Sequence, residues 1–295
     1  MIKLIASDMD GTLLNHDLVI PEENIAAIKK AQAEGIEFMI ATGRGITEAK
    51  PLLEKYNLNS AFITLNGGQV FDEKGVVQVE FPLKPVWTKK VVQSLINQDL
   101  YFEVVTSNGI YSDDKVKRIN NIAGLISNLN PGTPFKLAVA LSSARIELMN
   151  IKYVENYDEI LSDPNIKVFK IIAFDTQSTV KFDAVKKDLL AEPNPGVVIT
   201  SSSTYNIEIN DINGQKGIAL KKYAEQKGLG AENVMTLGDN VNDTTMIEYA
   251  GYSVAMGNAI DDIKKIAHWQ TDTNNNAGVA KAIERAIEFN HTGKE

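Results

Sequence analysis

Two acidic residues near the start of the chain are the first that could do chemistry. Asp8 and Asp10 follow the short apolar run 2–7, and Gly11 comes directly after them. Side chains alternate along an extended chain, so both carboxylates face the same side. Asp-Gly between apolar runs is also a common hairpin signal. A hairpin would account for Asp10 and Gly11 but not for the acid two residues earlier, so both interpretations stay open for this pair alone.

A second acidic cluster lies between a predicted strand and a predicted helix. It contains Asp239, Asn242 and Asp243. A calcium loop of the D-x-[DN]-x-[DN]-G type is excluded, because Val241 occupies its third position. Capping of the following helix would explain Asn242 or Asp243. It would leave Asp239, at the end of the strand, without a structural task.

The two clusters predict a metal site if their strands are neighbours. Ligands in open α/β sheets lie beyond the carboxyl ends of the strands, so Asp8 and Asp239 would then converge. Clustered carboxylates repel one another unless a cation compensates. The chain has no cysteine, and its histidines, His16, His268 and His291, lie far apart. Oxygen ligands alone favour a hard cation, and Mg²⁺ is the ion expected here.

Two further elements could hold a phosphate. The hydroxyl of Thr42 and the amide of Gly43 follow the apolar run 36–41, where a helix N-terminus binds anions. Lys216 opens another predicted helix and could face charge that develops in phosphoryl transfer. An ordinary helix cap and a solvated lysine are the structural alternatives. A dinucleotide G-x-G-x-x-G motif is excluded by Glu48, and no P-loop or G-x-S-x-G motif occurs.

Strands and helices alternate at both ends of the chain, which indicates a parallel sheet with right-handed crossovers. The apolar and amphipathic patterns predict strands at 2–7, 36–41, 61–65, 233–237 and 252–255, and helices at 21–34, 46–56, 216–227, 244–249, 259–267 and 277–289.

The middle of the chain has a different order of predicted strands and helices. A hairpin is predicted at 69–81, and an α+β module with an antiparallel sheet follows it. The simplest organisation is an α/β core of residues 1–83 and 212–295 that is interrupted by an insert of residues 84–211. The clearest strands of the insert are predicted at 101–106, 167–174, 196–200 and 205–210.

Charge and composition exclude some partners. The formal net charge of −8 argues against nucleic acid or an anionic membrane as the main partner. No run approaches the ~18 apolar residues of a membrane span, and acidic Asp8 comes before any leader-like apolar stretch could develop. We therefore expect a cytoplasmic protein that acts on a small molecule, with no obligate protein partner.

The four elements together, in this order, resemble the haloacid dehalogenase (HAD) superfamily. The chain is most similar to its Cof-like phosphatases, which carry a large α/β cap between the second and third motifs. Residues 8–12 match the first motif, Thr42 the second, Lys216 the third and residues 238–243 the fourth. The resemblance covers essentially the whole chain. It implies an α/β fold with a Rossmannoid core, a parallel sheet and an inserted α+β cap.

The resemblance also implies roles for the acidic residues. Asp8 would attack phosphorus and form an aspartyl-phosphate. Asp10 would protonate the leaving alcohol and then activate water. Mg²⁺ would be held by Asp8, the backbone carbonyl of Asp10 and Asp239, with Asn242 and Asp243 shaping its outer shell.

The remaining motif residues would bind the substrate. Thr42, Gly43, Lys216 and Asn242 are the expected phosphate-binding residues, and the insert would be a lid with hinges near 83–85 and 211–214. The expected activity is Mg²⁺-dependent hydrolysis of small phosphorylated metabolites, with sugar phosphates favoured. A phosphotransferase or phosphomutase, a nucleotide or cofactor phosphatase, and a non-enzymatic regulatory protein on the same fold are the alternatives.

Overall fold

The structure is a computed structural model, and it describes residues 1–129, 132–147, 151–176 and 179–293. The chain forms two compact units. The first consists of residues 1–81 and 213–295, and the second of residues 82–212.

Strands and helices are numbered here along the chain through both units. The strands are β1 (Leu4–Asp8), β2 (Glu37–Ala41), β3 (Ala61–Thr64), β4 (Gln69–Phe71), β5 (Val77–Glu80), β6 (Tyr101–Thr106), β7 (Gly109–Ser112), β8 (Ile151–Tyr153), β9 (Val168–Phe174), β10 (Val197–Thr200), β11 (Asn206–Asp211), β12 (Val234–Gly238), β13 (Tyr252–Ala255) and β14 (Trp269–Gln270). The helices are α1 (Glu22–Ala33), α2 (Ile46–Glu54), α3 (Pro85–Asn97), α4 (Lys115–Leu129), α5 (Phe135–Glu147), α6 (Asp158–Leu161), α7 (Val180–Leu189), α8 (Lys216–Gln226), α9 (Thr244–Tyr249), α10 (Asp261–Ile266) and α11 (Gly278–Thr292).

The first unit is built on an eight-stranded sheet in the order β14-β13-β12-β1-β2-β3-β4-β5. The six strands from β14 to β3 run parallel, and β4 and β5 add the predicted hairpin. The predicted α/β fold with a parallel sheet is confirmed. Because β1 lies between β12 and β2, the loops that follow these three strands meet at one edge of the sheet.

Both faces of this sheet are covered, which explains why its strands are continuous apolar runs. On one face Ile5 and Phe38 pack into a cluster that includes residues of α1 and α11. On the other face Leu4 and Ala6 pack into a cluster that includes residues of α8. Burial on both sides fixes the strands, and thereby the loops at their ends.

The second unit has a six-stranded sheet in the order β10-β11-β9-β6-β7-β8. Its pairs are antiparallel except at one edge, where β7 and β8 run parallel. The predicted antiparallel sheet is thus observed in every pair except the one at this edge. The helices α4 and α5 lie between β7 and β8 in the chain, and a connection of that length joins parallel strands. Residues of α3 and α7 pack with those of β6 and β9 in one hydrophobic cluster.

Candidate active site

The acidic residues of the first and fourth motifs meet because their strands are neighbours. β1 pairs in parallel with β12, so Asp8 at the end of β1 lies beside Asp239, which follows β12. One carboxylate oxygen from each of Asp8, Asp239 and Asp243 lies within 4.8 Å of the others. The expected convergence of Asp8 and Asp239 is observed, and Asp243 belongs to the same cluster.

Lys216 bridges two of these carboxylates. Its Nζ atom donates to Asp8 Oδ1 at 2.6 Å and to Asp243 Oδ1 at 2.6 Å, and the side chain has no exposed surface. Burial acts to lower the pKa of Lys216, but the two carboxylates outweigh it and raise the pKa above the usual value. Lys216 is therefore a fixed ammonium group and not the solvated surface lysine of the structural alternative.

The second oxygen of Asp243 organises the loop after β12. Asp243 Oδ2 accepts hydrogen bonds from the amides of Asp239 at 2.9 Å and Asn240 at 3.1 Å. Gly238 gives this carboxyl group its space, because a Cβ atom there would lie 2.7 Å from Asp243 Cγ. Asp243 thus accepts three hydrogen bonds from the protein, and it holds Asp239 in place through the backbone.

The electrostatics of the cluster favour a cation. Burial raises the pKa of Asp8 well above its usual range, and Asp243 and Asp239 raise it further against the opposing effect of Lys216. Burial and the charge of Asp243 raise the pKa of Asp239 to about 6. Three carboxylates share one ammonium group, and the atoms that they offer to a metal are all oxygens. This donor set fits a hard divalent cation.

The loop after β1 is fixed against Asp239. Gly11 has a φ of +85°, and a Cβ atom there would lie 2.6 Å from Asp239 Oδ2. Thr12 Oγ1 donates to Asp239 Oδ1 at 2.8 Å, and Asn258 Nδ2 donates to the carbonyl of Gly11 at 2.8 Å. Glycine is required at position 11 both by the backbone conformation and by the approach of the carboxylate.

Asp10 has a partner that the sequence did not reveal. Arg44 donates from Nε to Asp10 Oδ2 at 2.8 Å and from Nη2 to Asp10 Oδ1 at 2.5 Å. The hydrogen bonds to Asp10 raise the pKa of Arg44 above its usual value. The Asp10 side chain remains 46% exposed, so it is oriented but accessible. The available signal was an arginine in the loop after β2, the strand adjacent to β1.

The phosphate-binding candidates share the same edge of the sheet. Thr42 is buried, and its Oγ1 atom accepts the amide of Arg44 at 3.2 Å. Gly43 lies between these two residues.

Asn66 donates its backbone amide to the carbonyl of Thr42 at 3.0 Å, and its Oδ1 atom accepts from Asn242 Nδ2 at 3.3 Å. Asn66, with a left-handed φ of 60°, thus joins the second motif to the fourth and was also missed in the sequence.

Fold and site together define a hydrolase of the haloacid dehalogenase type. The family described as haloacid dehalogenase-like hydrolase matches residues 5–283, and the chain belongs to that family. No helix within the described residues is long and apolar enough to cross a membrane.

Several relatives are similar over nearly their whole length. Phosphatase YwpJ of Bacillus subtilis is 29% identical over 288 residues, which cover 97% of this chain and 100% of that protein. The 5-amino-6-(5-phospho-D-ribitylamino)uracil phosphatase YcsE of the same organism is 34% identical over 288 residues, covering 97% of this chain and 96% of that protein. The solved structure of a haloacid dehalogenase-like hydrolase from B. subtilis has a TM-score of 0.82 at 29% identity and covers 96% of this chain and 99% of that one.

Proposed function

We propose that this protein is a Mg²⁺-dependent phosphatase that hydrolyses small phosphorylated metabolites through an aspartyl-phosphate on Asp8. The observation that supports this most is the buried Asp8–Lys216–Asp243 bridge beside Asp239. A carboxylate held by a fixed ammonium group at the carboxyl edge of a parallel sheet suits attack on phosphorus. Relatives named as phosphatases over nearly the full chain agree with this chemistry.

The proposed reaction has two steps that share one acid–base group. An oxygen of Asp8 attacks phosphorus while the bond to the leaving alcohol breaks and Asp10 gives that alcohol its proton. Asp10, now ionised, then takes a proton from water, whose oxygen attacks phosphorus and releases phosphate and free Asp8. The Asp10 side chain is accessible for proton exchange, and its pairing with Arg44 through both oxygens suits the ionised form that takes a proton from water.

Asp8, Asp239 and the backbone carbonyl of Asp10 would hold Mg²⁺, which when bound offsets the negative charge of the carboxylates and of the phosphoryl group. Asp243 already accepts three hydrogen bonds, one from Lys216 and two from backbone amides. It would therefore support the ion from outside its immediate ligands, as would Asn242.

Thr42, Gly43, Lys216 and Asn242 are the proposed phosphate-binding residues. Thr42 Oγ1 accepts a backbone amide, so its hydroxyl hydrogen is left for a phosphoryl oxygen. Lys216 Nζ already contacts the oxygen of Asp8 and supplies positive charge next to the attacking atom. An ammonium group in that place stabilises the charge that develops during transfer.

Sugar phosphates remain the first candidate, and the second unit is proposed to act as a lid that selects the leaving group, with hinges near 83–85 and 211–214. Phosphate esters of a ribityl-substituted pyrimidine are the second candidate. Two relatives, at 34% and 30% identity, carry that substrate in their names.

The test is phosphate release from p-nitrophenyl phosphate by the wild type and Asp8→Asn, with and without Mg²⁺. We expect turnover only in the wild type with Mg²⁺, and an acid-quenched reaction should contain a phosphorylated Asp8 that hydroxylamine converts to a hydroxamate. Asp8→Asn activity within tenfold of the wild type would exclude Asp8 as the nucleophile. Consumption of a sugar phosphate with transfer to another hydroxyl and little free phosphate would instead identify a phosphotransferase or mutase.

A further inference from the structure

A cavity of about 200 Å³ lies in the first unit at the edge of the sheet opposite the catalytic carboxylates. Ile2, at its wall, precedes β1, whereas Asp8 ends that strand. Six residues of extended chain span ~20 Å, so this cavity is separate from the proposed active site. Its polar and aromatic walls are formed by Tyr252, His268, Trp269, Arg285 and Phe289.

Arg285 brings a cation to this cavity without a carboxylate partner. Its guanidinium carbon lies 4.3 Å from the centroid of the Trp269 ring. Within residues 1–129, 132–147, 151–176 and 179–293, Arg285 forms no ion pair. This cation–π contact needs no hydrogen-bond acceptor, so the N–H groups of the guanidinium remain available as donors. Although the chain has a net charge of −8, the guanidinium of Arg285 can attract an anion locally.

His268 adds a second donor. Its Nδ1 atom lies 3.1 Å from the backbone nitrogen of Ser253, whose N–H can only donate. In the neutral ring Nδ1 is therefore the acceptor, and the proton is on Nε2. Arg285 and His268 thus both carry available N–H donors, and both are solvent-exposed residues that line the cavity.

The remaining walls are largely apolar. The rings of Tyr252 and Phe289 are 4.8 Å apart, and the buried side chains of Met235 and Ala286 line the cavity with them. A volume of about 200 Å³ is below the ~300–1,000 Å³ typical of sites for drug-sized ligands. The space suits one aromatic ring with a small substituent.

We propose that this cavity binds a small aromatic carboxylate. The ring packs against the aromatic walls, and the carboxylate accepts hydrogen bonds from the guanidinium of Arg285 and from Nε2–H of His268. Guanidinium and carboxylate match in planar geometry and in charge, and this match makes the site selective for the acid over its neutral amide.

Tryptophan fluorescence can test this directly. The chain has two tryptophans, and Trp87→Phe leaves Trp269, at the cavity wall, as the only reporter. Benzoate should change its emission saturably. Benzamide, which has the same shape but no charge, and acetate, which has the charge but no ring, should each bind at least tenfold more weakly. Saturation-transfer NMR of benzoate with the unmodified wild type gives the same readout if Trp87→Phe is unstable.

Substitution of Arg285 separates this cavity from other anion sites. Arg285→Gln should weaken benzoate binding at least tenfold, and Arg285→Lys should recover part of the affinity because it keeps the charge but not the planar donors. Turnover of p-nitrophenyl phosphate should be unchanged in both variants, which are remote from the catalytic edge. Benzoate that does not bind saturably, that binds no better than benzamide, or that binds Arg285→Gln as tightly as the wild type would each overturn the proposal.

Discussion

Replacement of Gly11 by alanine tests whether the loop after β1 positions Asp239. Gly11 has a φ of +85°, and its added Cβ atom would lie 2.6 Å from Asp239 Oδ2. Gly35 offers a matched control, since its φ is +80° and an added Cβ atom meets nothing within 4 Å. The two substitutions therefore share a backbone penalty and differ in the contact with Asp239.

The structure sets the expected magnitudes. An L-residue in the left-handed region costs about 1–2 kcal/mol, so the backbone alone should lower the free energy of unfolding of both variants by about that amount. In Gly11→Ala, Asp239 Oδ2 or the loop must also move by about 0.8 Å to restore an ordinary 3.4 Å contact. A misplacement of ~1 Å in an active site can cost ~100-fold in rate. For Gly11→Ala only, we expect a loss of about 10- to 100-fold in kcat/KM. The Mg²⁺ concentration that gives half-maximal activity should also rise.

The assay combines urea denaturation with hydrolysis of p-nitrophenyl phosphate over a series of Mg²⁺ concentrations. Gly35→Ala should show the backbone part of the stability loss while it keeps the wild-type rate and the wild-type Mg²⁺ midpoint. Equal rates and equal Mg²⁺ midpoints in the two variants would refute the positioning of Asp239 by this loop.

Three further substitutions test separate contacts of the site. Asp10→Asn should slow hydrolysis of alkyl phosphates more than that of p-nitrophenyl phosphate, whose leaving group needs little protonation; equal losses would argue against a proton donor at this position. Arg44→Gln should lower kcat for the same alkyl esters, because only the guanidinium spans both oxygens of Asp10. Arg44→Lys should lower kcat less. An effect on KM alone would contradict the orienting role of Arg44. Lys216→Met should reduce the free energy of unfolding in EDTA by about 3–5 kcal/mol, because Asp8 and Asp243 lose their buried cation. Mg²⁺ should restore part of the lost stability. Unchanged stability in EDTA, measured by urea denaturation, would disprove the bridge.

Elements could be predicted where local pattern and tertiary burial agree. β6, β13 and α9 begin and end at the predicted residues. β8 and β14 were missed, and they have three and two residues. Segments that short contain no readable alternation, and only their pairing with a neighbouring strand defines them.

The meeting of Asp8 and Asp239 could also be predicted, because neighbouring parallel strands end at one edge of a sheet. The pairing of Arg44 with Asp10 spans 34 positions, and that of Asn242 with Asn66 spans 176. Such contacts depend on strand order and on side-chain rotamers, neither of which is present in a short motif. Motif reasoning finds residues at strand ends, but it does not find the partners that orient them.

The energetic cost of the cluster is itself an argument for function. Lys216 and Asp243 have no exposed surface, and Asp8 is nearly buried. Removal of such groups from water costs several kcal/mol each, and well-packed apolar residues in their place would often give a more stable protein. Nothing in the packing of the sheet requires charge at these positions, because the apolar clusters on both of its faces are formed by other residues. A fold that keeps three acids and one lysine together at the edge where parallel strands end has a local conflict that packing does not explain. Binding of a cation and a phosphoryl group would resolve that conflict, because the ion offsets the excess carboxylate charge and the ammonium group then faces the phosphate.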